Sequence, residues 1–143
     1  MRTAIRRAVL AVIVAATLAA APAAWALDQT FGFTVDTARL AADRHTMVVS
    51  GTYTCGPFDT TDRGVVDLTV QQGRTTGFGY VPILTCDGNA QTYQAEVVSN
   101  SDRQFKPGAA TATASGYVEG VVGGQPFVQT TRVDNQRLTI RRG

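Results

Sequence analysis

TMVVSGTYTC, Thr46 to Cys55, alternates between two faces. Met47, Val49, Gly51, Tyr53 and Cys55 fall on one side, and Thr46, Val48, Ser50, Thr52 and Thr54 on the other, the period of two that a strand with one buried face requires. Cys55 thereby lies on the core side. The same period recurs along the chain. Val66, Leu68 and Val70 alternate with Asp67, Thr69 and Gln71; Tyr93, Ala95 and Val97 alternate with Gln94 and Glu96. Phe31, Phe33 and Val35 form a similar series near the start, and Leu138 and Ile140 near the end.

Between these segments stand turn-forming clusters: Cys55-Gly56-Pro57, Gln72-Gly73, Asp87-Gly88-Asn89, Lys106-Pro107-Gly108 and Asp134-Asn135. Gly123-Gly124 reads as a tight hairpin, because paired glycines accept the positive φ angles of a two-residue turn. Ala110, Ala112, Ala114 and Gly116 make a row of small residues suited to close approach by another layer. Thr37 to Arg44 reads as one helical turn or as extended chain, and Phe78 to Cys86 as a strand weakened by Gly79 and Pro82. About eight short strands predict an all-β domain: a two-sheet antiparallel sandwich of the immunoglobulin-like kind first, a small β-barrel as the alternative.

The first 26 residues carry a different pattern. Arg2, Arg6 and Arg7 precede an apolar run from Ala8 to Ala21, and Ala24-Trp25-Ala26 supplies a small-x-small cleavage site. This is the form of a signal-peptide helix cut between Ala26 and Leu27, leaving 27–143 as one secreted domain with no membrane anchor. The run is too short to span a bilayer, which takes about 20 residues. Arg6-Arg7 leaves the twin-arginine route open beside the general secretory one. Processing also changes the charge: the 13 basic residues fall to 10, against 11 acidic ones. A near-neutral chain whose basic residues are scattered gives no sign of nucleic-acid binding.

An oxidising destination bears on the cysteines. Cys55 and Cys86 are the only two, and a single disulfide between them is the simplest use. Zinc wants four ligands where the chain offers these two and His45, and a redox pair is normally Cys-x-x-Cys. A bond also constrains the topology. In a flat meander the strands ending at Cys55 and Cys86 would sit about 9.5 Å apart, whereas a disulfide needs Cα atoms within about 7 Å. Those strands therefore lie in different sheets, lie side by side, or are joined beyond the end of the strand between them; the first option favours the sandwich.

No catalytic, cofactor or metal site is read from the chain, and the sequence points away from an enzyme. His45 stands beside a turn without identifiable partners, and Asp59 and Asp62 lack calcium-loop spacing and read as caps of a polar loop. In TGFGYVPI, Phe78 and Tyr80 share a face with Gly77 and Gly79 opposite. Two placements follow: a ligand-contact ridge, or core packing beside Leu84, the commoner fate of aromatics.

The combination SGTYTCGP, DLTVQQGRTTGFG, LTCDGNAQTYQAEV and FKPGAATATASGYVE resembles a family of small secreted actinobacterial proteins of unknown function. That resemblance implies an exported β-sandwich and transfers no catalytic residue. A looser similarity links the chain to immunoglobulin-like sandwiches, including secreted carriers of small antibiotics, although no tryptophan lies between the cysteines. The expected function is an extracellular module binding a protein, a cell-envelope component or a small molecule, with a small secreted hydrolase or a protease-inhibitor-like protein as alternatives.

Overall fold

In the computed structural model, which describes residues 28–143, the alternation of Thr46 to Cys55 becomes the strand Thr46–Thr54, third of eight. In chain order these are β1 (Gly32–Phe33), β2 (Thr37–Leu40), β3 (Thr46–Thr54), β4 (Thr60–Gln72), β5 (Thr75–Pro82), β6 (Gln91–Ser99), β7 (Gly108–Val122) and β8 (Gln125–Arg142). The expected signal peptide and its cleavage point lie outside the described residues. Among those described, every regular element is a strand.

The expected sandwich is replaced by a closed barrel. Strand β3 pairs with β2 along one edge and with β6 along the other, in an eight-pair ladder from Thr46↔Val98 to Tyr53↔Gln91. The ring therefore runs β3, β2, β8, β7, β4, β5, β6 and back to β3, seven strands with β1 continuing the β2 position alongside β3. Two packed sheets would leave four free edges; here each strand of the ring has a partner on both sides, which removes them. Alternation reports only that one face is buried, and a barrel and a sandwich satisfy it equally.

The side chains on the inner face fill the lumen. Met47, Val49, Val66, Leu68, Val70, Val97 and Ile140 are all buried, with Ala110, Ala112 and Ala114 of β7 leaving room for their larger neighbours. Thr37–Leu40 is strand and not helix, and Gly123 and Gly124, at φ 58° and 78°, make the hairpin turn between Val122 and Gln125.

The Asp134-Asn135 cluster does not end a strand. It is a bulge within β8, where Ala112 pairs with Gln136 and Ala114 with Val133, and Asn135 takes a φ of 48°. Beyond it Leu138 and Ile140 face inward; before it the inward positions are Gln129 and Thr131. Gln129 is only 2% exposed. Its carbonyl accepts from the Gly56 amide at 2.8 Å and its amide donates to the Asp28 carbonyl at 2.5 Å, so it ties the first described residues to the loop after β3.

The two ends of the barrel are closed differently. At one, Cys55 and Cys86 are bonded with Cα atoms 4.8 Å apart. Both lie beyond strand ends, and the strand between β3 and β5 is β6, so the bond realises the third of the arrangements open to it. At the other end, the connection from β6 to β7 must cross three steps of the ring. It carries Phe105, fully buried, into the mouth of the lumen, where the Phe105 amide donates to the Arg44 carbonyl at 2.9 Å.

Candidate binding face

Strand β5 places its aromatics outside because its inside is already occupied. A Cβ at Gly77 would meet the Phe105 ring at 2.8 Å and Val97 Cγ1 at 2.9 Å, and one at Gly79 would run into the Glu96 carbonyl oxygen. Glycine is the residue that lets β6 and the Phe105 plug approach so closely. Phe78 and Tyr80 then point to solvent, 51% and 67% exposed. Packing in the core beside Leu84 does not occur: Leu84 is itself 77% exposed.

These side chains join others across the sheet. Phe78 is directly opposite Val98 of β6, Val98 is opposite Thr46 of β3, and Val48 is two residues along from Thr46 on the same outer face. Val48 and Val98 are exposed too. The result is an apolar strip across β3, β6 and β5 that continues towards Leu84. Two carboxylates lie on this face: Asp67 flanks it on β4, paired with Tyr80, and Glu96 stands within it on β6, paired with Val48. Single exposed apolar residues are ordinary on a protein surface, but aromatic and aliphatic side chains gathered over three adjacent strands, with carboxylates among them, have the composition of a contact surface.

Leu84 sits in a tethered loop. Ile83 before it is buried and its amide donates to the Gly64 carbonyl; Cys86 after it is disulfide-bonded, and its amide donates to Thr61 Oγ1 at 3.2 Å. Asp87 Oδ1 then accepts from the Asn89 amide at 2.9 Å, chiefly through which its carboxyl is held below the ordinary aspartate range. The loop is fixed on both sides of one exposed leucine.

The polar residues singled out in the sequence are not brought together as a reaction centre. Asp43 Oδ1 accepts from the amides of His45 and Thr46, and its Oδ2 from the Thr46 hydroxyl, all at 3.0 Å. The Thr46 amide first, then the other donors, hold the Asp43 carboxyl below its usual range. This carboxylate caps the turn between β2 and β3, and the hydrogen bond from His45 is made by its main chain. Asp59 accepts from the Gly123 amide at 2.7 Å and so caps the β7–β8 hairpin, whereas Asp62 lies exposed at a bulge in β4. Tyr93, stacked on Phe33 at 4.8 Å, donates to the Thr34 carbonyl, and burial pushes its hydroxyl pKa upward.

Among the described residues, no three His, Cys, Asp or Glu side chains gather as metal ligands would, and no helix is long and apolar enough to cross a membrane. No family model, curated protein or solved structure matches the chain. Sequence reasoning singled out Phe78 and Tyr80 but not their partners Val48 and Val98, each the outward exception in an alternating strand and visible only once the register of three strands is known.

Proposed function

We propose that the chain is a secreted, non-catalytic binding module that takes an extracellular protein on the outer face of β5, β6 and β3. The observation that carries this reading is the exposure of Phe78 and Tyr80 on a closed barrel, where aromatic anchors stand on a rigid support at little entropic cost. Asp67 beside the strip and Glu96 within it suit a partner surface that sets basic groups among apolar ones.

A photo-activatable cross-linker placed at Tyr80 in the exporting cell should yield a protein adduct, and the same probe at Thr139 should not. The double variant Phe78→Thr and Tyr80→Thr should lose that partner while keeping its thermal stability within about 1 kcal/mol, since both sites are exposed. Adducts at Thr139 but not at Tyr80, or capture unchanged in the double variant, would place the contact elsewhere.

The Leu84 loop supports a second reading. A rigid, disulfide-tethered loop with one protruding leucine has the form of a segment that fills the apolar specificity pocket of a serine protease without being released after cleavage. Inhibition of a chymotrypsin-like or subtilisin-like protease, abolished by Leu84→Asp, is the expected result; no inhibition across a panel of such proteases removes this reading. A hydrolase has less in its favour, because the carboxylate beside His45 is committed to its turn.

A further inference from the structure

The basic residues that are scattered in the sequence are gathered by the topology. Arg44 lies on the β2–β3 turn, Arg74 on the β4–β5 turn, and Arg103 and Lys106 on the β6–β7 connection, all at the end plugged by Phe105. Strand β8 brings Arg137, Arg141 and Arg142 towards the same end, and β2 brings Arg39. With Asp43, Asp102 and Glu96 at that end, its side-chain charge is +5, and the rest of the described chain carries −6. The net charge of −1 over residues 28–143 hides this separation. It also misleads, because β3 alone is nine residues long, about 30 Å at 3.3 Å per residue, and charges separated by more than about 8 Å are screened from one another at physiological salt.

Three features show that the cations of this end are not neutralised by ion pairs with the acidic side chains around them. All eight cationic side chains are exposed. The ion pairs among the described residues, Arg63 with Glu119 and Arg132 with Asp134, use the two basic residues that lie outside this end. Arg39 and Arg141 are register partners on adjacent strands with both side chains outward, an arrangement that self-repels unless an anion lies over it. Arg44 and Arg142 in addition line a cleft of about 460 Å³ together with Leu40, Ala41, Pro107 and Gly143.

We infer that this end of the barrel docks on an anionic phospholipid surface, with headgroup phosphates against the arginines. The cations stand on each connection around the mouth and do not line a groove, so a planar array of charges engages them together where a linear polyanion would meet only some. Seven of the eight are arginine, whose planar fork pairs with phosphate through two hydrogen bonds. The large exposed apolar side chains, Phe78, Tyr80, Leu84 and the three valines, lie on strand faces or near the disulfide and not on the loops of this end. Attachment is peripheral and electrostatic, without insertion, and leaves the β5 face free at the side.

The test is sedimentation of the exported protein with vesicles. At about 0.01 M salt, where screening extends about 30 Å, it should pellet with vesicles of equal phosphatidylglycerol and phosphatidylcholine, stay in solution with phosphatidylcholine alone, and come off at about 1 M salt. Each arginine near such a surface changes partitioning about fivefold, so Arg74→Gln with Arg103→Gln should weaken it on the order of thirtyfold. The double variant Arg63→Gln and Arg132→Gln, with the same change in net charge, should partition as the parent does. Failure to pellet at low salt, equal loss in the two double variants, or complete displacement by duplex DNA of equal total charge would overturn the inference. None of these outcomes depends on the β5 face.

Discussion

Replacing Phe105 with alanine is expected to destabilise the barrel by about 3 to 5 kcal/mol, as truncating a fully buried aromatic does. The position leads to the upper part of that range. Phe105 comes from a connection and not from a strand, it is 0% exposed, and its ring lies against the bare backbone of Gly77. Gly77, which faces the ring, has no side chain with which to fill the space. The cavity would open at the mouth of the lumen beside Gly77 and Val97. Urea unfolding of the protein and the variant measures the loss; a midpoint shift worth less than about 1 kcal/mol would mean that the 100–107 connection covers the barrel end without sealing it.

The second large effect is expected at the opposite end. Cys55 and Cys86 are 31 residues apart in the chain, and the chain-entropy account of closing such a loop gives about 3.7 kcal/mol. Against a typical total of about 5 to 15 kcal/mol for a domain, that is a large fraction. Unfolding curves with and without reductant, or of the Cys55→Ser and Cys86→Ser double variant, should show the decrease. The main-chain bonds across the linkage, from the Phe58 amide to the Cys86 carbonyl and from the Gly88 amide to the Cys55 carbonyl, predict that the reduced protein keeps the same barrel at lower stability. An unchanged midpoint would show that these bonds hold the loops together without the sulfurs.

The parts of this structure that sequence reveals are those decided within a few residues. The inward faces of Met47, Val49 and Tyr53, of Val66, Leu68 and Val70, and of Tyr93, Ala95 and Val97 follow from local alternation. So does the hairpin at Gly123-Gly124, and the partner of Cys55 followed from there being one other cysteine. What stayed hidden depends on distant segments. Closure rests on β3 finding β6, some forty residues later in the chain. The outward turn of Phe78 and Tyr80 depends on Phe105, which takes the interior beside Gly77 from another loop. The charged end exists only after three connections and the end of β8 have been brought to one side, and neither composition nor the order of residues records that.

The bulge at Asp134-Asn135 has a consequence for β8 as a whole. One residue in excess of its partner shifts the phase of the inside-outside alternation by half a period. The strand is thus a single piece of backbone carrying two opposite codes: even-numbered positions such as Leu138 and Ile140 are inward after the slip, and odd-numbered ones such as Gln129 and Thr131 before it. Deleting that residue while Leu138 and Ile140 hold their places would rotate Gln129 out to solvent, Thr130 in, and leave Gly56 and Asp28 without the side chain that fastens them. The attachment of the first described residues to the disulfide end is therefore written about seventy-five positions after Cys55, in the surplus length of a strand two places round the ring from β3.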